Sequence, residues 1–476
     1  MAQRLKVVVV DDDPTGSQTL HSCPLLLHWD QTSLRRGLAH PSPFLFILAN
    51  TRALAPLAAA ERLRAICRAL RPALAEAQAA GKLDQWLLVS RGDSTLRGHF
   101  PLDVEVLAAE LGPFDATLLV PAFLPGGRTT REGVHLLHGE PVHTTAFARD
   151  GLFGYRSSYL PDWVAEKSAG RLPAAAVQRI ALAELDAAAR DRAGAGAQRL
   201  GRRLAGFEGN VCVAVDAERP QQLAALGTLV RELTAPAAAE RWGRPRRFLF
   251  QSAASLLNGL VELGPAPLDP AGLAGLRRRD PAGGPLPGLV LVGSHVPLAD
   301  AQLQRLLAEP GCVGLELPVA SLARVLEGPV PDELLGSLER QWGEQLEGLL
   351  ASGRTPVLFT SRGELVCRHA EERRRLGQEL AGLMGRLAAR LAPRLGYLIS
   401  KGGITSHTLL ADGLGLEWVE LRGQLLPGLS LVRVPEPSPE AGLPVVTFPG
   451  NLGDGESLTQ AWALLEGGAL AGTCSR

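Results

Sequence analysis

Three consecutive carboxylates, Asp11, Asp12 and Asp13, follow a run of four valines, Val7 to Val10, and precede Pro14, Thr15, Gly16, Ser17 and Gln18. Carboxylates can take the proton of a hydroxyl or accept a hydrogen bond from it, and the small residues after them leave room for a polar ligand. Two further segments of the first half repeat the layout of an apolar run followed by a polar, glycine-bearing turn. WLLVSRGDSTLRG carries Arg91, Asp93, Ser94 and Arg97, and TLLVPAFLPGGRTTREG carries Arg128, Thr129 and Thr130. A third run, VCVAVDAE, ends at Asp216. One Asp or Ser after a strand is ordinarily a helix cap. Several such turns at one sheet edge fit a small polyhydroxylated acid: Arg97 and Arg128 can grip a carboxylate with paired donors, and Asp and Ser can bind hydroxyls.

The second half carries turns of another kind, rich in glycine and hydroxyls. They are LVGSHV with Ser294, LFTSRGE with Thr360 and Ser361, LISKGGITSHT, and VTFPGNLGDGES. Glycines let a phosphate approach the backbone, and hydroxyls and main-chain N–H groups donate to its oxygens. Gly402, Gly403, Ile404, Thr405 and Ser406 form one candidate anion cradle, Gly450, Asn451 and Gly453 another. Lys401 could add a point charge; it is one of only four lysines, the other basic residues being arginines. Neither GxxxxGK[ST] nor a GxGxxG after a strand is present, which excludes a standard P-loop or dinucleotide fingerprint. His135, His138 and His143 lack supporting carboxylates and read as incidental histidines of a surface turn, and no metal site is expected. His21 reads as structural.

These residues need elements to position them. A continuous apolar run is a strand buried on both faces, and ligands of open parallel sheets sit beyond the carboxyl ends of the strands. Candidate strands are Lys6–Val10, Pro43–Leu48, Gln85–Val89, Ala116–Val120, Val211–Val215 and Arg247–Phe250, then Leu289–Val292, Cys312–Leu317, Pro356–Phe359, Gly396–Ile399 and Pro444–Phe448. Between them Leu63, Ile66, Leu70 and Leu74 fall on one helical face. The alternation predicts an α/β protein of two domains, each a largely parallel sheet flanked by helices, and the ligand site is expected in the cleft between them. The Pro- and Gly-rich stretch 263–288 reads as a connection between an N-terminal domain over 1–262 and a C-terminal domain over 289–476.

With 476 residues, the chain is long enough for two or three domains. Its 49 basic and 49 acidic side chains balance, which removes the electrostatic footprint of a nucleic-acid or anionic-membrane binder. No apolar run approaches the about 20 residues that span a bilayer, and a cytoplasmic location is the expectation. The six cysteines form no CxxC pair and read as reduced thiols.

In order along nearly the whole chain, these motifs resemble the four-carbon acid sugar kinase family, long a family of unassigned function. The residues that carry the likeness are the aspartates and TG of DDDPTGSQT, RGDSTLRG, PAFLPGGRTTREG, and the GS, TSR, KGGITS and GNLGD turns. Arg91 stands where the family pattern has lysine, and DPTGSQT marks a longer branch. The resemblance implies a kinase that moves a phosphoryl group from ATP, with Mg²⁺, to the terminal hydroxyl of a tetronate or 3-oxo-tetronate. It places Asp13, Thr15, Gly16, Arg91, Ser94, Arg97, Arg128 and Thr129 around the acid and Asp12 or Asp93 as the proton acceptor. Ser294, Lys401, Gly402–Ser406, Gly450, Asn451 and Gly453 would serve the nucleotide. A homodimer is the default assembly. A non-catalytic sensor of a sugar acid or nucleotide is the alternative.

Overall fold

The computed structural model describes residues 4–14, 16, 19–327, 331–362 and 370–468. The chain forms two compact units, Met1–Pro265 and Ala266–Arg476.

The first unit contains β1 (Leu5–Asp11), β2 (Cys23–Leu26), β3 (Phe44–Leu48), β4 (Gln85–Arg91), β5 (Ala116–Val120), β6 (Arg128–Arg131), β7 (Val134–Leu137), β8 (Glu140–Pro141), β9 (Gln178–Ile180), β10 (Val211–Val215) and β11 (Phe248–Ser252). Its main sheet runs β2-β3-β1-β4-β11-β5-β10-β9 with every neighbouring pair parallel. Val7 to Val10 are buried because helices cover both faces of such a sheet. The helix Pro56–Ala79 is one of these covers; it buries Leu63, Ile66, Leu70 and Leu74, the face expected from their spacing. Register matters most for function. Asp11 pairs with Leu48 and Arg91, Arg91 with Ser252, and Ser252 with Val120, so the ends of β3, β1, β4, β11 and β5 lie in one row. The short antiparallel sheet β6-β7-β8 begins at Arg128.

The second unit contains β12 (Gly288–Val292), β13 (Cys312–Leu317), β14 (Thr355–Thr360), β15 (Tyr397–Lys401), β16 (Trp418–Leu426), β17 (Leu429–Arg433) and β18 (Pro444–Phe448). Strands β13-β14-β12-β15-β18 are parallel, and β17 and β16 continue from β18 as antiparallel strands. Here the row of strand ends is Phe359, Val292, Lys401 and Phe448. The Pro- and Gly-rich stretch contributes to this unit: Leu273, on the helix Pro270–Ala274, is buried in its core with Val290, Ile399 and Leu458. Among the described residues no helix is long and apolar enough to cross a membrane.

Candidate functional site

The row of strand ends in the first unit carries a lattice of alternating charges. Arg52, in the short turn after β3, donates to both oxygens of Asp12, Nη2 to Oδ1 at 2.8 Å and Nε to Oδ2 at 3.1 Å. The same guanidinium lies 3.4 Å from Asp13 and 3.9 Å from Asp93. Arg91 stands 3.9 Å from both Asp11 and Asp12. Arg97 donates to Asp93 at 2.7 Å and lies 3.6 Å from Asp150, and the Thr95 hydroxyl donates to the same oxygen of Asp93. Arg128 lies within electrostatic range of Asp93 and Arg97.

The aspartates differ in what surrounds them. Burial pushes the Asp11 carboxyl up to about 8 against the opposing charge of Arg91. Burial also raises Asp12, with Arg52 and Arg91 pulling the other way. For Asp93 the balance reverses: burial alone would raise it, but Arg97, Arg52 and the Thr95 hydroxyl hold it below the usual carboxylate range. A raised carboxyl is the better proton acceptor near neutral pH, and the two expected candidates for the base differ in this respect.

The other expected residues of this half fall as follows. Gly16 packs so closely on the Asp11 carboxylate that any side chain there would collide with it. Ser94 is buried; its carbonyl accepts from the ring N–H of His135 at 2.8 Å. Thr129 sits in β6 opposite Leu136. Arg128 is buried and donates through Nη1 to the Gly126 carbonyl at 2.7 Å, while its Nε has no hydrogen-bond partner. Thr15 lies outside the described residues. Only part of the histidine expectation holds. His143 is exposed, but His135 is fully buried, bonded to Thr130 and Ser94, with burial drawing its pKa down to about 4. His21 bonds to Ser22 and to the Gly264 carbonyl, a structural role.

Sequence reasoning missed Arg52, Asp103, Gln251 and Ser252. Arg52 and Ser252 lie at or just beyond strand ends, where the rule about ligand position could have found them. Asp103 stands in the first turn of the helix Leu102–Leu111. Burial, with the Asp12 charge adding to it, raises its carboxyl to about 7.

In the second unit the GS, KGGITS and PGNLGD turns touch one another. Gly293 packs against the Thr405 hydroxyl and Gly450 against that of Ser294. Gly402 has φ +122° and ψ 135° as the residue preceding the helix Gly403–Thr408, a conformation that side chains other than glycine rarely adopt. Gly403, Gly450 and Asn451 are half-buried, Ile404 and Gly453 exposed. The N–H groups of Gly403, Ile404 and Thr405 begin a helix and so have no partner within it. Arg362 ties the turns together; it donates to the carbonyls of Ser294 at 2.8 Å and Thr360 at 2.7 Å and to Asp300 at 2.8 Å.

Two expected nucleotide contacts are turned inward instead. The Ser406 hydroxyl donates to the Ser400 carbonyl at 3.0 Å and its N–H to Gly402 at 2.9 Å. Lys401 is fully buried, its ammonium 3.8 Å from the Phe448 ring and donating to the Pro449 carbonyl at 3.1 Å. It braces the PGNLGD turn from beneath, because a ring face and a carbonyl hold a cation that has left water. Among the described residues no group of three or more His, Cys, Asp or Glu is arranged to hold a metal.

Comparison with known proteins matches residues 7–260 to a sugar-binding N-terminal domain and residues 289–458 to a nucleotide-binding C-terminal domain. The D-threonate kinase of Cupriavidus necator is 28% identical over 386 residues, 79% of each chain. That of Salmonella typhimurium is 28% identical over 393 residues, 80% of this chain and 81% of its own. The D-erythronate kinase of Heliobacterium modesticaldum is 29% identical over 192 residues, 38% of this chain and 41% of its own. Among solved structures, a Haemophilus influenzae protein of the DUF1537 family shares the fold at TM-score 0.57 and 16% identity, covering 97% of this chain and 99% of that one.

Proposed function

The chain belongs to the four-carbon acid sugar kinase family, and from that premise we propose that it phosphorylates the terminal hydroxyl of a tetronate or 3-oxo-tetronate at the expense of ATP. The acid binds the first unit and the nucleotide the second. The observation that carries the acid site is Arg128: a buried guanidinium with an unpartnered Nε, within electrostatic range of Arg97. A buried donor of that kind suits an anion. Arg97 and Arg128 hold the carboxylate, while Arg52 and Arg91 keep the surrounding aspartates compatible with it.

Asp12 accepts the proton of the attacking hydroxyl. As that O–H bond breaks, the hydroxyl oxygen bonds to the terminal phosphorus, the bond from that phosphorus to the bridging oxygen breaks, and ADP leaves. Phosphoryl transfer asks the protein mostly for positioning and charge neutralisation. In the second unit the N–H groups of Gly403, Ile404 and Thr405 and the Ser294 hydroxyl face the phosphates. Mg²⁺ would accompany the nucleotide and, when bound, would neutralise phosphate charge.

A coupled ADP-release screen over D-threonate, D-erythronate and their 3-oxo forms tests the reading. Turnover with at least one acid, well above the acid-free rate, is expected. Binding of an acid with no ADP release from any of them would overturn the kinase reading and leave a sensor.

A further inference from the structure

Beside the charge lattice the first unit has a small cavity whose lining includes Asp12, Asp93, Asp103, Trp163, Gln251 and Ser252. Its internal volume is about 10 Å³, the size of a single water or hydroxyl. Four of its lining side chains carry buried polar atoms without a hydrogen-bond partner: Asp103 Oδ1, Trp163 Nε1, Gln251 Oε1 and Ser252 Oγ. Native interiors rarely leave such atoms unpaired, and one cluster of them marks a place for a missing group.

The chemistry of the four atoms narrows what that group is. Trp163 Nε1 can only donate. Gln251 Oε1 can only accept. Ser252 and, according to its protonation, Asp103 can do either. An anion would suit the indole N–H but meet Gln251 Oε1 and Asp12. An ammonium would suit the acceptors and leave the indole unpaired. A hydroxyl both donates and accepts, and it fits the volume. The side chains are fixed in place: Trp163 stacks on Phe100 with ring centroids 4.6 Å apart, Ser252 ends β11 in register with Arg91, and Asp103 is held in the first turn of its helix.

We propose that this cavity is a hydroxyl subsite, in which Asp103, Trp163, Gln251 and Ser252 select an acid that carries a free hydroxyl on an inner carbon of its chain. The inference rests on the reading of the first unit as the acid-binding half, and it names the residues that read the substrate's hydroxyl pattern. It follows that the discriminating contacts come from β11 and from the helices Leu102–Leu111 and Leu160–Lys167, outside the motifs that carry the family likeness.

The test is calorimetric binding of D-threonate, D-erythronate and their 2-deoxy and 3-deoxy analogues to the full chain, with ADP release followed in parallel. The wild-type protein should bind one deoxy analogue about tenfold to a hundredfold more weakly than its parent acid, because the cavity atoms lose their partner. Gln251→Leu and Ser252→Ala should each weaken the parent acid and shrink that preference to within about threefold. Equal binding of parent and both deoxy analogues by the wild-type protein overturns the proposal and leaves a cavity that holds a resident water only. So does an undiminished preference in both variants. The comparison within the wild-type protein needs no substitution and is immune to a folding defect. Hydroxyl discrimination without ADP release would sink the kinase reading alone, whereas ADP release with no discrimination would sink the subsite alone.

Discussion

At the carboxyl edge of the first unit's sheet, Asp11, Arg91 and Ser252 stand in register, and Arg52, Asp12, Asp93 and Arg97 close a lattice of opposed charges over them. At the same edge of the second unit the row reads Phe359, Val292, Lys401 and Phe448, and its one cation is folded beneath a turn. Both rows follow from parallel strands, so topology alone does not set their chemistry. On the proposed function the first edge would work with side chains, whose charges neutralise one another, and the second with main chain, where glycines leave the approach clear. Loss of a charge should therefore damage the first unit, and gain of a Cβ should damage the second.

The largest expected effect is on turnover. Asp12→Asn keeps the shape of the side chain and removes its capacity to take a proton. ADP release should fall by about 10²–10⁴-fold, the usual contribution of a positioned base, while a nucleotide titration stays unchanged. Weakened nucleotide binding in this variant would blur the division of labour between the two edges.

Next comes stability. Arg52→Met leaves Asp12, Asp13 and Asp93 without the cation they share. Removing one partner of a buried ion pair costs about 3–5 kcal/mol, and urea unfolding should register a loss of that order. An unchanged midpoint would mean the lattice is no more than a set of independent surface pairs. Gly402→Ala sharpens the other side. A β-carbon there is strained at φ +122°, at about 1–3 kcal/mol, and would stand 3.4 Å from the Ser294 N atom. Nucleotide affinity should drop while acid affinity holds.

Much of this was legible in the chain. The valine run ending in carboxylates predicts β1 and the edge where Asp11 and Asp12 sit, because burial on both faces leaves little choice of residue there. What was illegible depends on register and on tertiary neighbours. Arg52 follows β3 as an ordinary arginine in an arginine-rich chain, and only the pairing of β1 with β3 brings it onto Asp12. Asp103, Gln251 and Ser252 share a cavity although about 150 positions separate the first from the others. The β16–β17 hairpin does carry a signal in the sequence, beyond the apolar runs of the other strands: Val419, Leu421, Gly423 and Leu425 alternate with half-buried neighbours and the strands meet at Pro427–Gly428, the period-two pattern of a strand. Lys401 stands out for its rarity, but a sequence does not tell a lysine that faces a ligand from one that lies over Phe448.

The finest test of the contrast is the direction of stability with pH. Burial lifts Asp11 to about 8 from an ordinary 3.8, so between those values the folded chain holds a proton that the unfolded chain has released. Its contribution is full below about pH 4 and is lost as pH rises through 8. Burial lowers Lys401 to about 7 from 10.5, so in that window the folded chain has given up a proton that the unfolded chain keeps. That contribution is present above about pH 10.5 and is lost as pH falls through 7. The difference in unfolding free energy between Asp11→Asn and the wild-type protein should therefore change across about pH 4 to 8, the variant gaining relative stability as pH rises. Lys401→Met should show the reverse across about pH 7 to 10.5, its relative stability falling as pH rises. Urea midpoints over that range read both slopes. Parallel curves for either variant would mean that its ionisable group titrates alike in the folded and unfolded chain, and the electrostatic half of the contrast would fail at that edge.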